Sequence, residues 1–160
     1  MKVSRASDPY TYGQVWENSD KLYIFEDNPQ RTAKPNPYYK IPEDSWYKLK
    51  YGNDRNLYRE PEAHRTTSCI RGLPNAFPLC TIGNMMGRFW LDEDFPEAHE
   101  LLESDIYDII GAASSFSEIV VPWQGFFRTE ESGITEHRCP RLYRYLVEQT
   151  EYLWWLLKMV

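Results

Sequence analysis

Apolar side chains recur every three or four positions across residues 92–115, at Phe95, Ala98, Leu102, Ile106, Ile109 and Ala113, with Glu97, Glu100, Glu103 and Asp108 between them. That spacing predicts a long amphipathic helix, and Pro96 fits it because it falls in the first turn. A second stripe, Leu142, Tyr145, Leu146, Leu153, Leu156 and Leu157, predicts a helix over 141–157 with Pro140 at its first position. Short apolar runs bounded by turn residues predict buried strands at 21–26, 66–71, 76–82 and 118–122. SWYKLKYG, residues 45–52, predicts a short helix stopped by Gly52. Pro29, Pro35, Pro37 and Pro42 forbid regular structure across 27–44, and 53–65 and 123–138 read as further loops. Residues 1–20 are polar and tyrosine-rich without a clear period, so they read as an arm ahead of a domain spanning 21–160.

Strands alternating with helices argue for a single α/β domain with a mixed, partly parallel sheet and long loops, whose strand ends converge on a crevice. A chain of 160 residues is long enough for one sizeable core. The net charge of -6 argues against a general nucleic-acid binder, which neutralises phosphates with a basic face. Cys69, Cys80 and Cys139 form no CxxC pair, so reduced, buried thiols are expected, with neither a disulfide framework nor a metal site. No apolar run reaches the roughly 20 residues of a membrane span, and the opening MKVSRASDPY has no signal-peptide core, so a cytoplasmic protein is expected. The apolar ending WWLLKMV either packs on the sheet or marks a surface for homo-oligomers or partners.

The first strand, LYIFEDN at residues 22–28, runs straight into Glu26, Asp27 and Asn28. The carboxyl end of a buried strand in an α/β protein is a ligand position, so these three are candidate binding residues. The competing reading is a turn in which Asp and Asn bond their own backbone. Arg71 and Gly72, after the second apolar run, are either an anion contact or a structural pairing. Thr81, Gly83 and Asn84 follow the third run and reach toward the same crevice. His137 and Cys139 stand close together, but a nucleophilic thiol needs an activating base and an orienting third group, which no local signature supplies. The acidic helix face reads as solvated surface or as a mimic of nucleic acid. Aromatic residues make up 16% of the chain, enough that Tyr38-Tyr39, Trp46-Tyr47 and Phe126-Phe127 either stack on a base or pack internally.

YIFEDN, TTSCIRGLPNAFPLCT, WLDEDFPEAHELLESDI, IVVPWQG and CPRLYRYL, in that order, resemble a family of small phage and bacterial proteins with a macro-domain-like fold. The resemblance implies a three-layer macro-like domain that binds ADP-ribose or a related nucleotide, and in some members hydrolyses an ADP-ribosyl or nucleotide linkage. By that likeness Asp27 corresponds to the acid that bonds an adenine amino group, Asn28 orients a ribose, and the 125–133 loop corresponds to the phosphate loop. Gly125, Phe126, Arg128, Thr129 and Gly133 are then its ligand contacts. The Gly-rich stretches of active members are replaced here by PQRTAKPNP and GFFRTEESG. Phe126, Phe127, Glu130 and Glu131 would meet a diphosphate with bulk and like charge, which Arg128 and Thr129 offset.

The resemblance implies a small nucleotide-type ligand, no resident cofactor, and a setting in which a phage sequesters or degrades a nucleotide signal of host immunity. An enzyme of this kind would position water with Asp27 or Glu26 as base. The alternative is a degenerate scaffold that inhibits a host defence protein through its acidic and aromatic surface.

Overall fold

The computed structural model describes residues 2–27, 70, 72–81, 89–122 and 134–158. Four strands, β1 (Lys2–Arg5), β2 (Lys21–Glu26), β3 (Ala76–Leu79) and β4 (Glu118–Val121), form one sheet in the order β1-β4-β2-β3. Every pairing among them is parallel, where a mixed sheet was expected from the sequence. All four carboxyl ends therefore lie along one edge. The three helices among the described residues are α1 (Tyr12–Glu17), α2 (Phe95–Ala113) and α3 (Pro140–Lys158), and a 3-10 turn, Asp92–Asp94, leads into α2.

Strand alternation divides the core into two clusters. Leu22 and Ile24 of β2, Phe77 and Leu79 of β3, and Ile119 and Val121 of β4 face Ala98, Leu102, Ile106 and Ile109 of α2 and Leu142 and Leu146 of α3. Tyr23, Phe25, Ala76 and Val120 face the other way, onto Tyr10, Val15 of α1, Ile70 and Leu73. Full burial of each Leu or Ile contributes about 1.5–3 kcal/mol, so the predicted stripe on α2 is what holds that helix to the sheet. Leu102, Ile109, Leu142 and Leu146 are completely buried.

α3 starts at Pro140 as expected, whereas α2 proper starts at Phe95, three residues later than expected, because the 3-10 turn occupies 92–94. Pro96 stands in the first turn of α2, and the Asp94 carboxylate accepts from the Leu91 N–H at 2.9 Å. Pro140 opens α3, and Asp92 holds that end in place by accepting from the Arg141 N–H at 3.1 Å and from its guanidinium at 3.0 Å. The side chains of Leu153, Leu156 and Leu157 lie outside the described set, as do the helix expected at 45–52 and most of the strand expected at 66–71. Ile70, the described residue of that run, sits in a 3-10 turn. No described helix is long and apolar enough to cross a membrane.

The segment expected to be an arm is built into the fold. Residues Lys2–Arg5 pair with β4 from Lys2–Glu118 to Arg5–Val121, which puts β1 at one end of the described sheet. Val3 packs against the helix-side cluster and Ala6 against the other. Thr11 caps α1 by accepting from the Gln14 N–H at 3.1 Å.

Candidate functional site

β2 and β4 are paired only from Lys21–Glu118 to Tyr23–Val120, while β2 goes on beside β3 to Glu26–Leu79 and β4 beside β1 to Val121. The two central strands thus part toward their carboxyl ends. Tyr10 occupies the fork: its hydroxyl donates to the Ile24 carbonyl at 2.8 Å and lies 3.3 Å from the Val120 carbonyl. Its ring meets Tyr23 edge to face at 5.4 Å. A hydroxyl here satisfies carbonyls that the interrupted ladder leaves without strand partners.

Glu26 and Asp27 stand at the end of β2, 2% and 1% exposed. A buried carboxylate is costly unless it is hydrogen-bonded or paired. Glu26, in phase with Leu22 and Ile24, accepts from the Thr81 hydroxyl at 3.0 Å, so the helix-side acid is engaged with the end of the neighbouring strand. Asp27 continues the ladder, its N–H donating to the Leu79 carbonyl at 3.0 Å, and the alternation carries it to the face of Tyr23 and Phe25.

The segment after β3 is held from several sides. Asp105, 3% exposed within the apolar stripe of α2, accepts from the Cys80 N–H at 2.9 Å. The buried Trp90 indole donates to the Cys80 carbonyl at 3.0 Å, and the Thr81 N–H donates to the Leu79 carbonyl at 2.8 Å. Asp105 was missed by sequence reasoning, although a single acid between Leu102 and Ile109 on the apolar face of a helix is a legible sign of a buried acceptor.

Of the residues singled out from sequence, the structure brings Glu26, Asp27 and Thr81 to one end of the sheet. Gly72 lies elsewhere, in the turn ahead of β3. Its φ of 93° is a conformation that suits glycine, and the turn closes through Leu73 N–H to Ile70 carbonyl at 3.1 Å. That is the amino end of the strand whose other end carries Thr81. Asn28, Arg71, Gly83, Asn84, Gly125, Phe126, Arg128, Thr129 and Gly133 lie outside the described residues.

Cys139 is fully buried, and burial pushes its thiol above the ordinary cysteine value; the sulfur sits 3.4 Å from the Thr135 carbonyl. A raised thiol is the opposite of what a nucleophile needs. His99 lies against Tyr145 and Phe95, with ring centroids 4.4 and 5.4 Å away. Among the described residues, no group of three His, Cys, Asp or Glu is placed to hold a metal ion.

The arrangement offers a fork between two central strands, a buried acid on each side of the β2 end, and a hydroxyl bonded to one of them. Such a site can accept hydrogen bonds from a ligand and orient it. No curated protein and no solved structure matches the chain. A family of unknown function (DUF7831) matches residues 5–149, nearly the whole length, and the chain belongs to that family.

Proposed function

We propose that this chain is a macro-like domain that binds a small nucleotide-type ligand, ADP-ribose or a nucleotide immune signal, beyond the carboxyl ends of β2 and β4. The observation that carries this reading is Asp27, a buried acid placed where the two central strands of a parallel sheet separate. Open α/β sheets bind ligands outside such strand ends. A carboxylate there accepts from an exocyclic amino group, and the Glu26–Thr81 pair holds the adjacent strand end in register for it. The phage counter-defence setting, and hydrolysis of an ADP-ribosyl or nucleotide linkage, rest on the resemblance of the sequence motifs alone.

The experiment is a thermal-shift panel of ADP-ribose, NAD, cyclic nucleotides and cyclic ADP-ribose isomers on wild type and Asp27→Asn. A ligand at 100 times its Kd stabilises the folded state by about 2.7 kcal/mol. A midpoint rise in wild type that is lost in a folded Asp27→Asn protein is the expected result. A flat response to every ligand overturns the proposal.

The second reading is a scaffold that inhibits a host protein. Tyr107, 77% exposed, and Ile110, 38% exposed, stand on the outer side of α2 near the acidic Glu103 and Asp108, which suits a partner contact. Tyr107→Ala separates the two: it leaves nucleotide binding intact and removes any protein partner held by that face.

A further inference from the structure

A concavity of about 350 Å³ opens at the opposite end of the sheet from Asp27. The described residues that line it are Trp16, Ser19, Pro74, Asn75 and Phe116. Ser19 precedes β2, Asn75 precedes β3 and Phe116 precedes β4, so the concavity lies beside the amino ends of three parallel strands. At about 3.3 Å per residue, β2 separates it from the Glu26 end by roughly 17 Å.

Asn75 makes this more than a dent. It is 3% exposed, and its Nδ2 donates to the carbonyls of Val15 at 3.0 Å, Asn18 at 3.1 Å and Lys21 at 3.0 Å. Three carbonyls on one side fix which way the amide faces. Its Oδ1 therefore points away from them, and among the described residues it accepts no hydrogen bond. A buried acceptor of fixed direction beside a concavity is a recognition element for a donor.

The other described lining residues are neutral, and two of them are aromatic. Trp16 is 54% exposed, yet its ring is steadied by Tyr12, stacked at 6.3 Å with planes 10° apart. Phe116 is braced edge to face by Phe77 at 6.2 Å. Pro74 supplies a further apolar wall. None of the described lining residues carries a charge, which disfavours phosphate, carboxylate or ammonium ligands. The volume is near the lower end for small-molecule clefts, roughly 300–1,000 Å³.

We infer that this concavity binds a neutral, planar heteroaromatic molecule of one or two rings, stacked on Trp16 and donating an N–H to Asn75 Oδ1. The site is separate from the carboxyl-end crevice and does not depend on what binds there.

The test uses indole and 1-methylindole, in which a methyl group replaces the N–H donor, titrated to millimolar concentration into isotope-labelled protein and followed by amide and indole N–H resonances. Indole is expected to move the signals of Trp16, Ser19 and Phe116 and to leave those of Asp27 and Thr81 in place. Loss of one neutral hydrogen bond corresponds to about three- to tenfold weaker binding of 1-methylindole. Trp16→Ala, a change at an exposed position whose folding the same spectra report, is expected to weaken indole by about tenfold or more, on the scale of a lost stacking contact. The inference is overturned if indole moves none of these signals, if the two probes bind equally, or if a folded Trp16→Ala protein binds indole as well as wild type does.

Discussion

Replacing Asn75 by alanine removes the donor that ties the end of α1 to the start of β2. Two N–H groups serve three carbonyls, so one of them is shared, and the change counts as two net hydrogen bonds lost, not three. At about 1 kcal/mol each, with a further cost for carbonyls left without a partner in a buried place, the loss comes to about 2–4 kcal/mol. For a chain of this size that corresponds to a melting midpoint lower by roughly 5–15 °C. Equilibrium urea unfolding measures it, with the slope unchanged from wild type if the unfolded state is unaffected. Asn75→Asp is the sharper variant, since it turns a donor into a carboxylate facing three carbonyl oxygens. Burial among acceptors raises the folded pKa of such an acid above its unfolded value. The variant is therefore weakest at high pH and recovers as pH falls through that raised value, where the protonated group donates once. A loss under about 0.5 kcal/mol in Asn75→Ala, the usual range for inconsequential surface changes, would refute the reasoning. So would an Asn75→Asp protein no weaker than the alanine variant at pH 8.

Glu118 gives a prediction of the opposite sign. The Ser4 hydroxyl, then Lys21 and Lys2, hold its carboxyl below the ordinary value of 4.5 against the opposing effect of burial. Its contribution is complete above that value and is lost as pH falls through the lowered folded value, so Ser4→Ala should flatten the acid limb of stability measured between pH 5 and 3; an unaltered limb contradicts the assignment. Cys139, buried with its thiol pushed up, should be alkylated by iodoacetamide at pH 8 about tenfold or more slowly in native than in urea-unfolded protein, read by peptide mapping. Equal rates would show the site opening readily in the native state.

The elements legible in the sequence are those whose signal is local. The stripe from Ala98 to Ala113 is a property of one helix, and α2 fell within three residues of its expected bounds because the stripe and Pro96 both mark it. β2 was legible for the same reason, as a short run of apolar and aromatic residues. β1 was not, because KVSR carries only one apolar residue toward the helix-side core, Val3, and its strand character comes from a partner more than a hundred residues away. The sheet's parallel sense is likewise invisible locally: pairing of β4 with both β1 and β2 is a choice of tertiary contacts. Glu26, Asp27 and Thr81 were legible as strand-end residues, and the structure places them together at one end of the sheet. Tyr10 was missed because its role depends on the fork between β2 and β4, which no short window encodes. Asn75 bridges segments that are over fifty residues apart, a role that no short window of sequence announces.

The two ends of β2 use buried polar groups in different ways, and the difference bears on what each end could offer a ligand. At the amino end Asn75 is committed on its donor side, so what it can offer a ligand is an acceptor. At the carboxyl end the acids divide the work by strand phase. Glu26 and Asp105 lie on the helix side, where one takes the Thr81 hydroxyl and the other the Cys80 N–H, and together they fix the chain leaving β3. Removing either disturbs that segment first and any ligand second. Asp27 belongs to the other face, past the last pairing of β2 with β4, where its backbone N–H secures it to Leu79. Its side chain is the acid whose conservative replacement, Asp27→Asn, keeps shape and backbone bonding while changing charge. If nucleotide binding falls in Asp27→Asn but Glu26→Gln lowers stability instead, the strand phase has sorted the structural acid from the recognition acid. Equal effects of both replacements on binding would mean that the strand end acts as one unit and that phase does not assign the roles.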